Sequence, residues 1–187
     1  MNESYIYIIF VKTNTLLSRS IGAITKSAYT HVALSLDDNF KNLYTFGRLR
    51  PSNPFFAGLT VENFHTGVYQ RSPYCPSLIY KIAVSEEQLK KLTKELDKYY
   101  SSDIKYRYNF LGLFAVLMDK QWKREHHYFC SEFVTELLAS SDIWHSPKAP
   151  ELTKPSDLIH INNKEIFYKG YTADFSSKYK YKNISLK

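Results

Sequence analysis

Two side chains in this chain have the types and setting to do covalent chemistry together: the thiol of Cys130 in "YFCSEFVTELL" and the imidazole of His31, which opens "THVALSL". A thiolate attacks carbonyl carbon, and it needs a neighbouring base to take its proton. Cys130, Phe133, Val134, Leu137 and Leu138 recur at helical spacing, with Ser131, Glu132, Thr135 and Glu136 on the opposite side. That pattern places Cys130 in the first turn of a helix, facing the interior. Unpaired backbone N–H groups and the positive end of the helix dipole favour an anion there, first a thiolate and then the oxyanion it creates. The same position also suits a cysteine that only fills a core site, and His31 at a strand edge has an equally plain structural use.

Other chemistries have less support. The remaining cysteine, Cys75 in "SPYCPS", forms no C-x-x-C pair with Cys130, so neither a disulfide framework nor a thiolate zinc site is expected. His126 and His127 are adjacent and cannot easily converge on one ion, while His65 and His160 have no partner at ligand spacing. No metal and no cofactor is expected. The formal net charge of +7 comes from lysines and arginines scattered along the chain, apart from the closing "KYKYKNISLK", and no nucleic-acid-binding motif accompanies them. A solvated basic surface is therefore expected rather than a nucleic-acid partner.

The elements that must position the pair can be read from periodicity. At 187 residues the chain suits one domain spanning residues 1–187, with a polar tail over 175–187 expected to fray. Its 16 tyrosines and 12 phenylalanines suit strands and pocket walls. "YIYIIFV" is a buried strand, because Glu3 precedes it where a leader peptide would be basic, and no cleavage site follows. With no membrane span in view, a cytoplasmic location is expected and membrane contact is not. A short helix is expected over "LLSRSIGAITKS", then a hairpin over 31–48, a loop over "RPSNPFFAGLT", and strands at "VENFHTGVY" and "SLIYKIAV". Ser85 and Gln88 form a capping box for the helix striped by Leu89, Leu92, Leu96 and Tyr99. A partly helical "YRYNFLGLFAVLMDKQW", the Cys130 helix, "SPKAPELTKPSDL" and a strand near "EIFYKGY" complete the order.

"FCSEFVTELL" with the upstream "THVALSL", the preceding "YRYNFLGLF" and the following "KPSDL" resembles the permuted NlpC/P60 group of papain-like cysteine hydrolases, which includes YiiX-like proteins and, more distantly, lecithin:retinol acyltransferase-like enzymes. The resemblance covers Tyr5 to about Leu158. It implies an α+β fold, an antiparallel sheet packed against helices in circularly permuted papain-like order, with His31 preceding Cys130. It also implies Cys130 as nucleophile and His31 as general base. The third group that orients the imidazole departs from a clean pattern: the matching strand "LYTFGR" offers Thr45, and Glu62 on the next strand is the chemically stronger orienter. Phe55 and Phe56 in "NPFF" and Tyr106 and Tyr108 in "YRYNF" are candidates to line a substrate groove. Three functions follow: cleavage of an amide in a small peptide or acylated amino acid, such as a cell-wall-derived fragment, acyl transfer or thioester hydrolysis on lipids, and a binding module that keeps the cleft without catalysis.

Overall fold

The run Ser4–Val11 is apolar at nearly every position, as a strand covered on both faces must be, and it forms β1 near the middle of an eight-stranded sheet. The computed structural model describes residues 3–13, 27–50, 53, 56–71, 73–118 and 120–175. In chain order the strands are β1 (Ser4–Val11), β2 (His31–Ser35), β3 (Leu43–Arg48), β4 (Ala57–Glu62), β5 (Pro76–Val84), β6 (Arg107–Tyr108), β7 (His127–Tyr128) and β8 (Lys164–Tyr171). The helices are α1 (Gly67–Arg71), α2 (Glu86–Tyr100), α3 (Phe110–Leu117), α4 (Cys130–Ser140) and α5 (Pro155–Leu158). Across the sheet the strands run β7-β6-β4-β3-β2-β1-β5-β8, antiparallel except for the parallel β6–β7 pair.

Because side chains alternate along β1, its two faces feed two cores. Ile6, Ile8 and Phe10 face α2 and α4, in the larger core with Leu92, Phe133 and Leu137, while Tyr7, Ile9 and Val11 belong to a smaller aromatic core with Phe40, Phe64 and Phe175. The Ser85–Gln88 capping box is formed, with the Ser85 hydroxyl accepting from the Gln88 N–H and the Gln88 side chain accepting from the Ser85 N–H. The expected hairpin is present as β2–β3, with Leu34 opposite Tyr44. The helix expected over residues 16–27 falls, except at its last position, outside the described residues.

Four expectations need correction. The strand placed at "VENFHTGVY" begins earlier and stops at Glu62, so that the last four residues of the expected loop before it, 57–60, are strand. Gly58 permits the early start, since a Cβ there would lie 2.6 Å from the Tyr106 carbonyl oxygen on the neighbouring chain segment. The stop comes from Asn63, whose side chain accepts from the His65 N–H at 2.8 Å, and from Gly67 with φ of +63°, with which α1 begins. The sheet is also not purely antiparallel, as β6–β7 shows. Third, α4 is not exposed on its polar side: Ser131, Glu132 and Thr135 are all buried. The helix lies on β2 and β3 and is covered on another side by α5 and the 3₁₀ turn Pro150–Leu152. Finally, Phe175 does not fray but packs edge-on against Phe40 and Phe64, while the positions after it lie outside the described residues. Among the described residues no helix is long and apolar enough to cross a membrane.

Candidate functional site

β2 sits in the interior of the sheet and delivers His31 at its first residue, while α4 rests on β2 and β3 with Cys130 at its own first residue. Strand head and helix start therefore meet, although the sequence separates them widely. Cys130 is buried at 3% exposure, and its side chain is in contact with the His31 imidazole. On its other side the imidazole meets Glu62 at the end of β4, with Nε2 to Oε2 at 3.0 Å. With Nε2 occupied by the carboxylate, Nδ1 is the ring nitrogen left to address the thiol.

The two partners are poorly solvated, with side-chain exposures of 14% for His31 and 13% for Glu62. Burial by itself lowers the His31 pKa, but the Glu62 charge, contact with Cys130 and the Glu62 hydrogen bond outweigh it and hold the imidazolium form well above the usual histidine range. Burial pushes Glu62 up, yet the His31 charge, the hydrogen bonds from His31 and Tyr69, and the Arg48 charge bring it below the usual carboxylate range. Both directions describe one buried imidazolium–carboxylate pair.

The carboxylate is itself held. The Tyr69 hydroxyl, buried in α1, donates to the same Oε2 at 2.7 Å. Gly47 makes room for the other oxygen, since a Cβ there would lie 2.6 Å from Oε1. Tyr69 was not legible in advance, because the segment carrying it reads as strand and nothing in its spacing ties it to Glu62.

Of the expected orienters, the structure brings Glu62 to His31 and turns Thr45 away: the Thr45 hydroxyl donates to the Val32 carbonyl at 2.8 Å within the sheet. Tyr108 lies closer to the chemistry than a groove-lining role requires. Its phenol contacts Cys130, and burial followed by that contact holds it well above its usual pKa, as a proton donor. The Tyr108 ring also lines a cleft of about 950 Å³ together with Phe56, Tyr106, Tyr99 and Arg107. Phe55 lies outside the described residues. Cys75 is buried in the smaller core and belongs to no disulfide, and His127 pairs through β7 with Arg107.

The α4 start is suited to hold negative charge. Its N-cap residue, Phe129, supplies no capping side chain, so the first-turn N–H groups beside Cys130 keep no cap from that position. Behind them Asn109 caps α3, accepting from the Gly112 N–H at 2.9 Å and donating to the Trp122 carbonyl at 3.2 Å, while its own N–H bonds the Tyr128 carbonyl at 2.9 Å. This buried amide ties β6, α3 and the approach to Cys130 together.

No family model matches the sequence, and no curated protein matches it. Among solved structures the chain is similar to metalloprotein YiiX from Escherichia coli O157:H7, at 16% identity and a TM-score of 0.58, over 91% of this chain and 99% of that one. The donors described here do not fit a metal ion: no group of three or more His, Cys, Asp and Glu side chains among the described residues could hold one, and Nε2 of His31 is already bonded to Glu62. What the likeness establishes is architecture, a YiiX-like α+β fold with an eight-stranded sheet packed against helices.

Proposed function

We propose that the chain is a cysteine hydrolase of permuted NlpC/P60 type that cleaves an amide in a small peptide or acylated amino acid of the cytoplasm. The observation that carries this reading is the continuous line of contact from Glu62 through His31 to Cys130 at a helix start. An imidazolium beside a cysteine sulfur favours the thiolate. The Cys130 sulfur attacks the amide carbonyl carbon, and the first-turn N–H groups and the Tyr108 phenol stabilise the oxyanion. His31 gives its proton to the departing amine as the C–N bond breaks, leaving an acyl-thioester on Cys130. The neutral imidazole then takes a proton from water, whose hydroxide attacks the thioester; the acid leaves and the thiolate and imidazolium return. Glu62 and Tyr69 position the ring and stay in place throughout.

The test is the pH dependence of Cys130 alkylation by iodoacetamide, with Cys75→Ser as background. Alkylation of the native chain is expected to persist at pH values where the urea-unfolded chain no longer reacts, and His31→Ala is expected to abolish that difference. Equal profiles for native and unfolded chains would remove the nucleophile from the mechanism.

A further inference from the structure

Beside the cleft, α3 presents a surface that the proposed chemistry does not use. Its sequence, "FLGLFAVL", is apolar throughout. Leu111 and Phe114 share one side of the helix with Met118 at its C-cap, and they are 52%, 55% and 67% exposed. Trp122, 53% exposed, is drawn back to the start of this helix by the Asn109 side chain. Three large apolar side chains on one short helix, with Trp122 in the segment that follows it, go beyond the scattered exposure normal for a surface.

The surroundings are cationic. Lys120 and Lys123 follow the helix and are exposed, and Lys105, Arg107 and Arg124 line the adjoining cleft, which has no carboxylate among its described lining residues. Among the described residues none of these five cations is in an ion pair. An apolar helix face with cations in the segment after it and along the adjoining cleft has the composition of an interfacial helix, in which the apolar side chains enter the acyl boundary while the cations meet anionic headgroups. We propose that α3 and the Trp122 segment dock on an anionic lipid surface. Charge complementarity selects that occupant over a second copy of this chain, whose equivalent face would bring the same cations together.

Docking there sets the cleft, and through Tyr108 the Cys130 thiol, next to the membrane, so that ligands with an acyl chain reach it from the lipid phase. The surface does not depend on the cysteine chemistry. The experiment is co-sedimentation of the full chain with vesicles of phosphatidylcholine alone or containing 30% phosphatidylglycerol, at low and high salt, with the chain's oligomeric state measured in parallel. Binding to the anionic vesicles alone, weakened by salt and lowered at least about tenfold in Leu111→Gln/Phe114→Gln, is the expected result. Both replaced side chains are exposed, and an unchanged melting temperature shows that the variant is folded. Retained binding in that variant with loss on neutralising the lysines of "KYKYKNISLK" would assign the effect to the tail and overturn the proposal. No vesicle binding, with or without a dimer abolished by the same variant, would also overturn it. Cys130 alkylation in solution is expected to be unaltered by Leu111→Gln/Phe114→Gln, which keeps failure of docking separate from failure of the hydrolase reading.

Discussion

A single carboxylate oxygen, Oε2 of Glu62, accepts from both His31 and Tyr69, so one buried group both anchors the imidazole and supplies the largest charge that keeps it protonated. In Glu62→Gln the charge is lost while burial remains, and the His31 pKa is expected to fall, measured by NMR titration of the ring protons. The pair also sets a pH window for stability. His31, raised in the folded state, contributes fully below its unfolded value and loses that contribution as pH rises through its folded value. Glu62, depressed in the folded state, contributes above its unfolded value and loses that as pH falls through its folded one. The joint contribution is therefore complete only between about pH 4.5 and 6.5, and the difference in urea midpoint between wild type and Glu62→Gln is expected to be largest there. Gly47→Ala tests the same position sterically: the added methyl displaces Oε1, slows Cys130 alkylation and costs about 1–2 kcal/mol. At this scale the sequence pointed to Cys130 and His31 because their types are scarce and chemically matched, and to Glu62 because a carboxylate on the next expected strand suits an imidazole. It was silent on Tyr69, one of 16 tyrosines, whose role exists only through the fold.

At the scale of elements, α4 is the informative case. Its apolar stripe was legible, but the burial of Ser131, Glu132 and Thr135 was not, because periodicity reports one face and says nothing about an element that later covers the other. Burial in this helix raises the Glu132 pKa to about 8, mostly by desolvation and against the hydrogen bond from the Phe129 N–H at 3.3 Å. A carboxyl protonated in the folded state and ionised in the unfolded one lowers stability as pH rises between its two values. Glu132→Gln, which can still accept from Phe129, is expected to stabilise the chain at pH 7 by about 2 kcal/mol and to have no effect near pH 4. Thermal unfolding at the two pH values measures both. By contrast α2 was legible from its residues alone, since a capping box and an i,i+4 pair such as Glu87 with Lys91 are local devices that need no tertiary partner.

Across the whole molecule, an interior strand carries the architecture. β1 pairs with β2 on one side and β5 on the other and feeds both cores, so Ile9→Ala is expected to cost about 2–5 kcal/mol, read from a denaturant midpoint with an unchanged slope. The α+β class followed from alternating strand and helix periods. Strand order did not, because the pairing of β4 with β6 depends on the Gly58 approach, and the parallel β6–β7 pair consists of two-residue strands too short to leave a pattern.

The distance along the chain between the strand head bearing His31 and the helix start bearing Cys130 also has a kinetic meaning. Closing so long a loop is among the slower events in folding, and neither half of the chain holds both groups. A reactive thiol therefore reports completion: during refolding, the rate at which Cys130 gains its native alkylation profile is expected to match the slowest phase seen by tryptophan fluorescence. An earlier gain would mean that β2 and α4 meet before the sheet is complete.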